Sequence, residues 1–564
     1  MYKLRIPSRE TKEFDVVDAY SLSPVPIPVG FNPFNHQMFN QDIFKFSKGK
    51  MTLLHSSARC MEGIPGVLVL SSGTTYGRIK DKLLYKCIPD DKRFPIFLVA
   101  YKVKLGFEKN IKNKYVVFKF KSWEGKHPMG TLCQGLGEVD KLDSFYEYQL
   151  YCKSLYASIQ NITKKTMRSL KEKTEDEYIE MIKNSSNLKD YRDKRNIFSI
   201  DPLKSRDFDD AFDIEKIDDE NTRISVYISN VSFWMDAMDL WDSFSNRIST
   251  IYLPDRKRPM LPTVLSDALC SLTANDVRFA FELSMVINNN YEIVSHEFSN
   301  CIIKVNNNYR YSTVEEEKNN DDFVSLMRLI RMLNRKYRYM DSIDTSHELV
   351  AYMMIMMNYM SAKEMIKHNV GIFRSAKFNQ TFNPPENMPQ DVRKFLKNWN
   401  SSGGKYSKDF GGHDMLELEA YVHITSPIRR LVDLLNMMIL QEKLGLYTMT
   451  TKGREFYERW TSDSSIEYIN TTMRSIRKVQ NDCSLLKICM EDSEVLNKIY
   501  EGYIFDKLVR NDALYQYMVY LPEINMVNRF TSRHDRINLT KQQFKIFIFV
   551  DQNSLKQKIR VEVQ

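Results

Sequence analysis

The sequence predicts a multidomain chain in which an α+β central domain is flanked by small β-barrels. Three observations carry this. The 564 residues are 43% hydrophobic and 12% aromatic, enough for several cores at ~150 residues per domain. Short β-rich runs broken by Gly, Asn and Lys clusters fill both ends, whereas helical periodicity belongs to the middle and its connector. Charge is partitioned the same way: residues 1–190 carry a net +10, 191–470 a net −5 and 471–564 a net +4, within an overall +9. Basic outer modules suit a polyanion, and an acidic centre suits cations.

Residues 1–40 read as an irregular N-terminal extension, because the stretch from Ser21 to Asn35 holds four prolines and no charge. The β-rich runs 66–79, 94–105 and 114–123 predict a first barrel over 41–87 and a second over 88–160. Tyr101, Phe107, Tyr115, Phe118, Phe120 and Trp123 lie among the lysines here. Such rings either stack bases while lysines hold phosphates, or fill the barrel core. An amphipathic pattern from Phe145 leads into a charged helical connector over 161–195. The central domain, 196–498, opens with a strand ending at Asp201. A hairpin follows, turning at 218–222, and then helices over 321–372 and 427–498. The methionine-rich run 353–360 reads as core rather than as a cofactor box. The tail, 499–564, holds four or five strands in a further small barrel.

Several classes are excluded. Gly 19 and Pro 18 are too few for a collagen-like or low-complexity chain. No apolar run reaches the ~18 residues that span a bilayer, and the N-terminus lacks the apolar core of a signal peptide. A soluble, cytoplasmic or otherwise intracellular protein without membrane partners is expected. The Asn runs 288–290 and 306–308 and the richness in Lys, Ile and Tyr suggest an AT-rich, viral genome. The eight cysteines include no C-x-x-C pair, which argues against zinc and for free, buried thiols.

The sharpest feature is Asp201, Asp207, Asp209 and Asp210 within ten positions. Four carboxylates in one place repel; two unit charges at ~4 Å cost about 4 kcal/mol at an effective dielectric of ~20. Water or cations must offset this. Oxygen ligands without His or Cys favour Mg²⁺ or Mn²⁺, and two such ions could serve phosphodiester hydrolysis. An EF-hand loop fails, since counting from Asp207 puts Ala211 at a ligand position and Phe212 where Gly is needed. A solvated acidic loop is the plainer alternative.

The cluster does not stand alone. Ile200-Asp201-Pro202 with Asp207, Asp209, Asp210 and Ala211 resembles the signature of the ribonuclease II / ribonuclease R (RNB) family, to which the exosome's processive nuclease is related. Three further blocks follow in that family's order: Ile251 to Pro262; Leu265 to Leu272 with Asn275 and Arg278; and Tyr421 to Arg430 with Asp433. Asn113 to Val117, Lys121 to Trp123 and His127 to Gly130 resemble its second cold-shock barrel, and the tail resembles its S1-type OB domain.

The resemblance implies an α+β RNB catalytic domain flanked by OB-fold barrels, cold-shock and S1-type. It implies a monomeric 3′→5′ exoribonuclease that hydrolyses single-stranded RNA processively to nucleoside 5′-monophosphates with two metal ions, Mg²⁺ or Mn²⁺. By matching position, Asp201 and Asp210 ligate one ion, and Asp207 and Asp209 complete the site and a second ion. Tyr252 stacks on the terminal nucleotide, and Arg429 binds the scissile phosphate. Two departures stand out: Gln480 where bacterial members carry Glu, and Met437 and Met438 where the family has His-Arg. A catalytically silent RNA-binding protein of the same fold is the alternative.

Overall fold

The structure, a computed structural model, describes residues 1–11, 13–47, 49–103, 111–311, 321–378, 383–400, 404–510 and 512–564. The chain divides into two compact units. One comprises Met1–Tyr156, Leu253–Asp255 and Arg477–Gln564; the other comprises Ala157–Tyr252 and Arg256–Ile476.

The first unit corrects the expected N-terminal boundaries. Residues 1–40 are not irregular throughout: Tyr2–Arg5 and Asp15–Asp18 pair antiparallel and join Ile43–Ser47 and Lys50–His55 in a four-stranded sheet. Each N-terminal strand is only four residues long, too short to show alternation, and the prolines beyond them dominate the pattern. Leu4, Val16, Phe31 and Phe44 form the core of this sheet, with the rings of Phe31 and Phe44 stacked 4.5 Å apart.

The expected break at residue 87 also falls inside a strand, Lys82–Pro89. That strand belongs to a closed ring of five: Ile64–Leu68, Lys114–Ser122, Met129–Glu138, Phe97–Tyr101 and Lys82–Pro89, which pairs back with Ile64–Leu68. Local patterns reveal strands but not their partners, so the closing pair was not readable. Gly66 sits where this closure is tightest; a Cβ there would lie 2.9 Å from the Ile88 carbonyl oxygen. Tyr115 and Phe118 are core, while Tyr101, Phe120 and Trp123 pack half-buried against it. Phe107 lies outside the described residues. A second five-stranded barrel, from Ile499–Val509 to Gln557–Val563, ends the chain, and its edge strands approach each other.

The second unit is built on a seven-stranded mixed sheet. Its order is Lys189–Asp190, Ile293–Lys304, Val277–Asn288, Asn221–Ser229, Asp210–Lys216, Phe198–Asp201 and Asn307–Arg310. The sheet therefore begins within the expected connector: two-residue Lys189–Asp190, too short to read, pairs parallel with Ile293–Lys304. The connector's two helices are Gln160–Glu172 and Glu175–Ser185, the latter opened by a Thr174–Glu177 capping box.

Both faces of the sheet are covered. Phe198, Ile200, Phe212, Val226, Phe281 and Ile302 share one core with helices Asp321–Lys336, Ser346–Lys367 and Leu431–Lys443. Met353, Met356 and Met357 are buried in that core, as read from the sequence, and so are Met437 and Met438. On the other face Ile197, Ala211, Tyr227, Ala280 and Cys301 form a second cluster. No disulfide joins the cysteines among the described residues, but Cys60 and Cys133 are exposed and Cys152 half-buried, where buried thiols were expected. Among the described residues no helix is long and apolar enough to cross a membrane.

Candidate active site

Asp201 is the last residue of its strand because Pro202 has no N–H to extend the ladder. The chain loops away and returns as Asp210–Lys216, antiparallel, with Phe198 opposite Phe212. This register puts Asp201 and Asp210 at the same end of the pair. The loop between them is pinned from the Leu265–Leu272 block: the Phe208 N–H donates to Ser271 Oγ at 2.9 Å, and the Leu272 N–H donates to the Phe208 carbonyl at 3.0 Å. Arg278, buried, donates through Nε to the Ser271 carbonyl at 2.8 Å and holds that segment in turn.

The four aspartates have different surroundings. Asp201 Oδ2 accepts from Ser199 Oγ at 2.8 Å, which itself accepts from Asn308 Nδ2 at 2.8 Å. Burial pushes the Asp201 carboxyl up to about 7, opposed by the Ser199 hydrogen bond and aided by the Asp209 charge. Asp209 is buried; its carboxylate accepts from the Ile428 N–H at 3.1 Å and from Arg429 Nε at 2.8 Å. Burial still pushes it up to about 6. Asp210 is driven well above the ordinary carboxylate range by burial and by Asp201 and Asp209, and its Oδ2 has no hydrogen-bond partner. Asp207 is held differently, through Oδ1 at 2.9 Å from Lys257 Nζ.

Arg429 reaches this cluster from the Ser426–Arg430 turn. Asp433, buried in the first turn of helix Leu431–Lys443, accepts from the Ser426 N–H at 2.8 Å and from Arg430 at 2.7 Å. The Thr250 N–H and Ser249 Oγ each donate to the Arg429 carbonyl at 3.0 Å. The segment leading to Tyr252 is thereby tied to the arginine. Tyr252 pairs with Lys257 across a two-residue ribbon, and its hydroxyl lies 3.4 Å from Asp207 Oδ2. Tyr252 is 43% exposed and the Arg429 side chain 40%.

All six expected residues thus belong to one neighbourhood of the second unit. Sequence reasoning missed Lys257, which bridges Asp207 and Asp267 at 2.9 Å each, and Tyr311, pushed up to about 12 by burial and the Asp210 and Asp201 charges. Lys257 lies within the Ile251–Pro262 block that the sequence singles out, but its pairing with Tyr252 is visible only in the structure; Tyr311 lies in no such block. Gln480 is half-buried on helix Asp463–Glu491, within the first unit.

Among the described residues no three His, Cys, Asp or Glu side chains converge in a metal-binding group. The donor set nonetheless fits a hard cation. Buried Asp201 and half-buried Asp210 feel each other's charge, and Asp210 keeps one solvent-shielded oxygen without a partner; Mg²⁺ typically takes one or two carboxylates plus water and substrate phosphate.

Residues 188–340 and 334–445 match the RNB domain, and residues 84–147 match the Dis3-like cold-shock domain 2 (CSD2). The chain is similar to ribonuclease R of Aquifex aeolicus (strain VF5), at 25% identity over 319 residues, 44% of this chain and 45% of that protein. It spans about half the length of the curated relatives it matches. Its fold is similar to that of Mycoplasma genitalium RNase R solved in complex with double-stranded RNA. The TM-score is 0.66 at 15% identity, covering 91% of this chain and 97% of that one. It is also similar to yeast Ssd1, described as a pseudonuclease, with a TM-score of 0.58 at 13% identity, covering 96% and 80%.

Proposed function

The chain is an RNB-domain protein, and on that premise we propose that it is a 3′→5′ exoribonuclease that hydrolyses single-stranded RNA processively to nucleoside 5′-monophosphates. The observation that supports this most is the contrast in exposure within one site. Asp201 and Asp209 are buried, while Tyr252 and Arg429 beside them are each about two-fifths exposed. A carboxylate group closed to solvent is bordered by the two side chains that an RNA end requires.

Asp201 and Asp210 would hold a divalent cation, Mg²⁺ or Mn²⁺, with Asp209 beside them. When bound, that ion supplies Lewis-acid polarisation of the scissile phosphoryl group. The remaining work falls to the chain's own residues. The Tyr252 ring stacks on the last base, which tolerates any sequence. Arg429, oriented by Asp209 and Ser426, presents a planar guanidinium to the phosphate and stabilises charge that develops on its oxygens. The barrels, one of them S1-type on this reading, guide the strand through their basic surfaces.

A second reading is a catalytically silent RNA-binding protein. The likeness to Ssd1 favours it, as does the engagement of Asp207 by Lys257. A 5′-labelled single-stranded RNA incubated with Mg²⁺ and with EDTA separates the two. Progressive shortening with Mg²⁺ alone supports the nuclease; binding without shortening supports the silent protein.

A further inference from the structure

Lys257 is the one cationic side chain hydrogen-bonded to Asp207 among the described residues, and its setting is built rather than incidental. Strand pairing fixes it opposite Tyr252, so both side chains project from the same face of the ribbon. The ammonium donates at 2.9 Å to Asp207 Oδ1 and at 2.9 Å to Asp267 Oδ1. Side-chain exposures are 21% for Lys257, 11% for Asp207 and 17% for Asp267, well inside the range of a partly buried triad. Asp267 lies in the π-helical turn Val264–Leu269, with Ser266 Oγ also donating to its Oδ1. Such turns are frequent at functional sites.

The geometry points to Lys257 as a resident cation on Asp207, the carboxylate that the family resemblance gives to a second metal. This rests on the nuclease reading above and deepens it: the site takes one divalent ion, at Asp201 and Asp210, and the lysine supplies the second positive centre at Asp207. Three features support the assignment. An ion at Asp207 would have to displace an ammonium already held on Oδ1 and anchored a second time by Asp267. An ammonium is a compact point charge with three donors, able to hold Asp207 and Asp267 and still face a phosphate oxygen. Asp267 supplies a counter-charge that keeps the ammonium at this place when Asp207 turns to substrate. Lys257 is thus a positioning residue for Asp207 and Tyr252, and it sets the metal stoichiometry.

The test counts Mn²⁺ bound by the full chain, read from the electron paramagnetic resonance of the free ion, with a short 2′-O-methyl oligoribonucleotide present. The parent is expected to bind one Mn²⁺, and Lys257→Met two, the second being lost in Lys257→Met/Asp207→Asn. Lys257→Arg, which keeps the charge, should return the count to one. Lys257→Gln replaces Lys257→Met if the latter melts early. Two ions in the folded parent, or one in both neutral variants, would overturn the assignment. Asp210→Asn distinguishes this failure from failure of the wider reading: if it leaves the parent's single ion bound, the carboxylate site itself is wrong, whatever Lys257 does.

Discussion

Asp209 links the aspartate cluster to the arginine turn: its backbone carbonyl accepts from Ser229, and its carboxylate accepts from Ile428 and Arg429. Asp209→Asn keeps an acceptor for the Ile428 N–H but turns an amide or a neutral oxygen toward the guanidinium. Turnover should fall at least ~10²-fold, as when a preorganised charge contact is lost, with RNA affinity changed only a few-fold; parent-like turnover in single-turnover assays would contradict this. Tyr252 makes a separate contribution. Tyr252→Ala should release longer end products from a product ladder, since stacking is worth about 1–3 kcal/mol per base, whereas Tyr252→Phe should leave the ladder unchanged. The 43% exposure argues against a core tyrosine, and a lowered melting temperature with unaltered products would reverse that judgement. Charge makes a third prediction. Burial pushes Asp201 up to about 7 and Asp209 to about 6 in the metal-free protein. The folded chain thus keeps protons that unfolded carboxyls release near pH ~4. The stability they contribute is full below that pH and lost as pH rises to about 7. The melting temperature of chelator-treated protein should fall across that window, and Asp201→Asn should flatten the fall. A flat profile in the parent would show that the carboxylates are not held as described.

At the scale of elements, helix Leu431–Lys443 places the arginine turn. Asp433 binds Ser426 and Arg430, and Asn436 bridges the Ile372 and His423 backbones. Asp433→Ala would leave Arg430 without its buried partner. It should cost about 3–5 kcal/mol in denaturant unfolding and lower kcat by displacing Arg429; an unchanged stability would contradict the role given to the helix. The elements that carry chemistry were legible before the structure. The strand end at Asp201, the hairpin about residues 218–222 and the helical stretch over 427–498 are local patterns, and local patterns survive in sequence. What escaped was pairing. Lys82–Pro89 closes onto Ile64–Leu68, and Tyr2–Arg5 onto Asp15–Asp18, through contacts that no period encodes. Lys257 escaped for the same reason: a lysine between two arginines reads as solvated charge until the ribbon sets it opposite Tyr252.

For the whole molecule, the uneven charge remains the main functional clue outside the site. Lys119, Lys121 and Lys126 are exposed on and beside the strand Lys114–Ser122. Replacing all three with Ala should reduce the slope of log affinity against log salt by up to ~2, at ~0.7 per single-strand phosphate contact, and an unchanged slope would remove this barrel from the RNA path. Substitution is preferable to deleting residues 1–160, because Met1–Tyr156 shares one compact unit with Arg477–Gln564, as the half-buried Lys556–Asp90 pair at 2.6 Å illustrates. The central claim is that the Asp cluster beside Tyr252 and Arg429 removes nucleotides from the RNA 3′ end. It is tested most directly by incubating a 5′-labelled RNA with the parent and with Asp209→Asn, each with Mg²⁺, and measuring binding on the same preparations. The account predicts a ladder receding from the 3′ end for the parent, no ladder for the variant, and similar affinity for both. A parent that binds RNA without shortening it, or a variant that shortens it at the parent rate, would contradict the account.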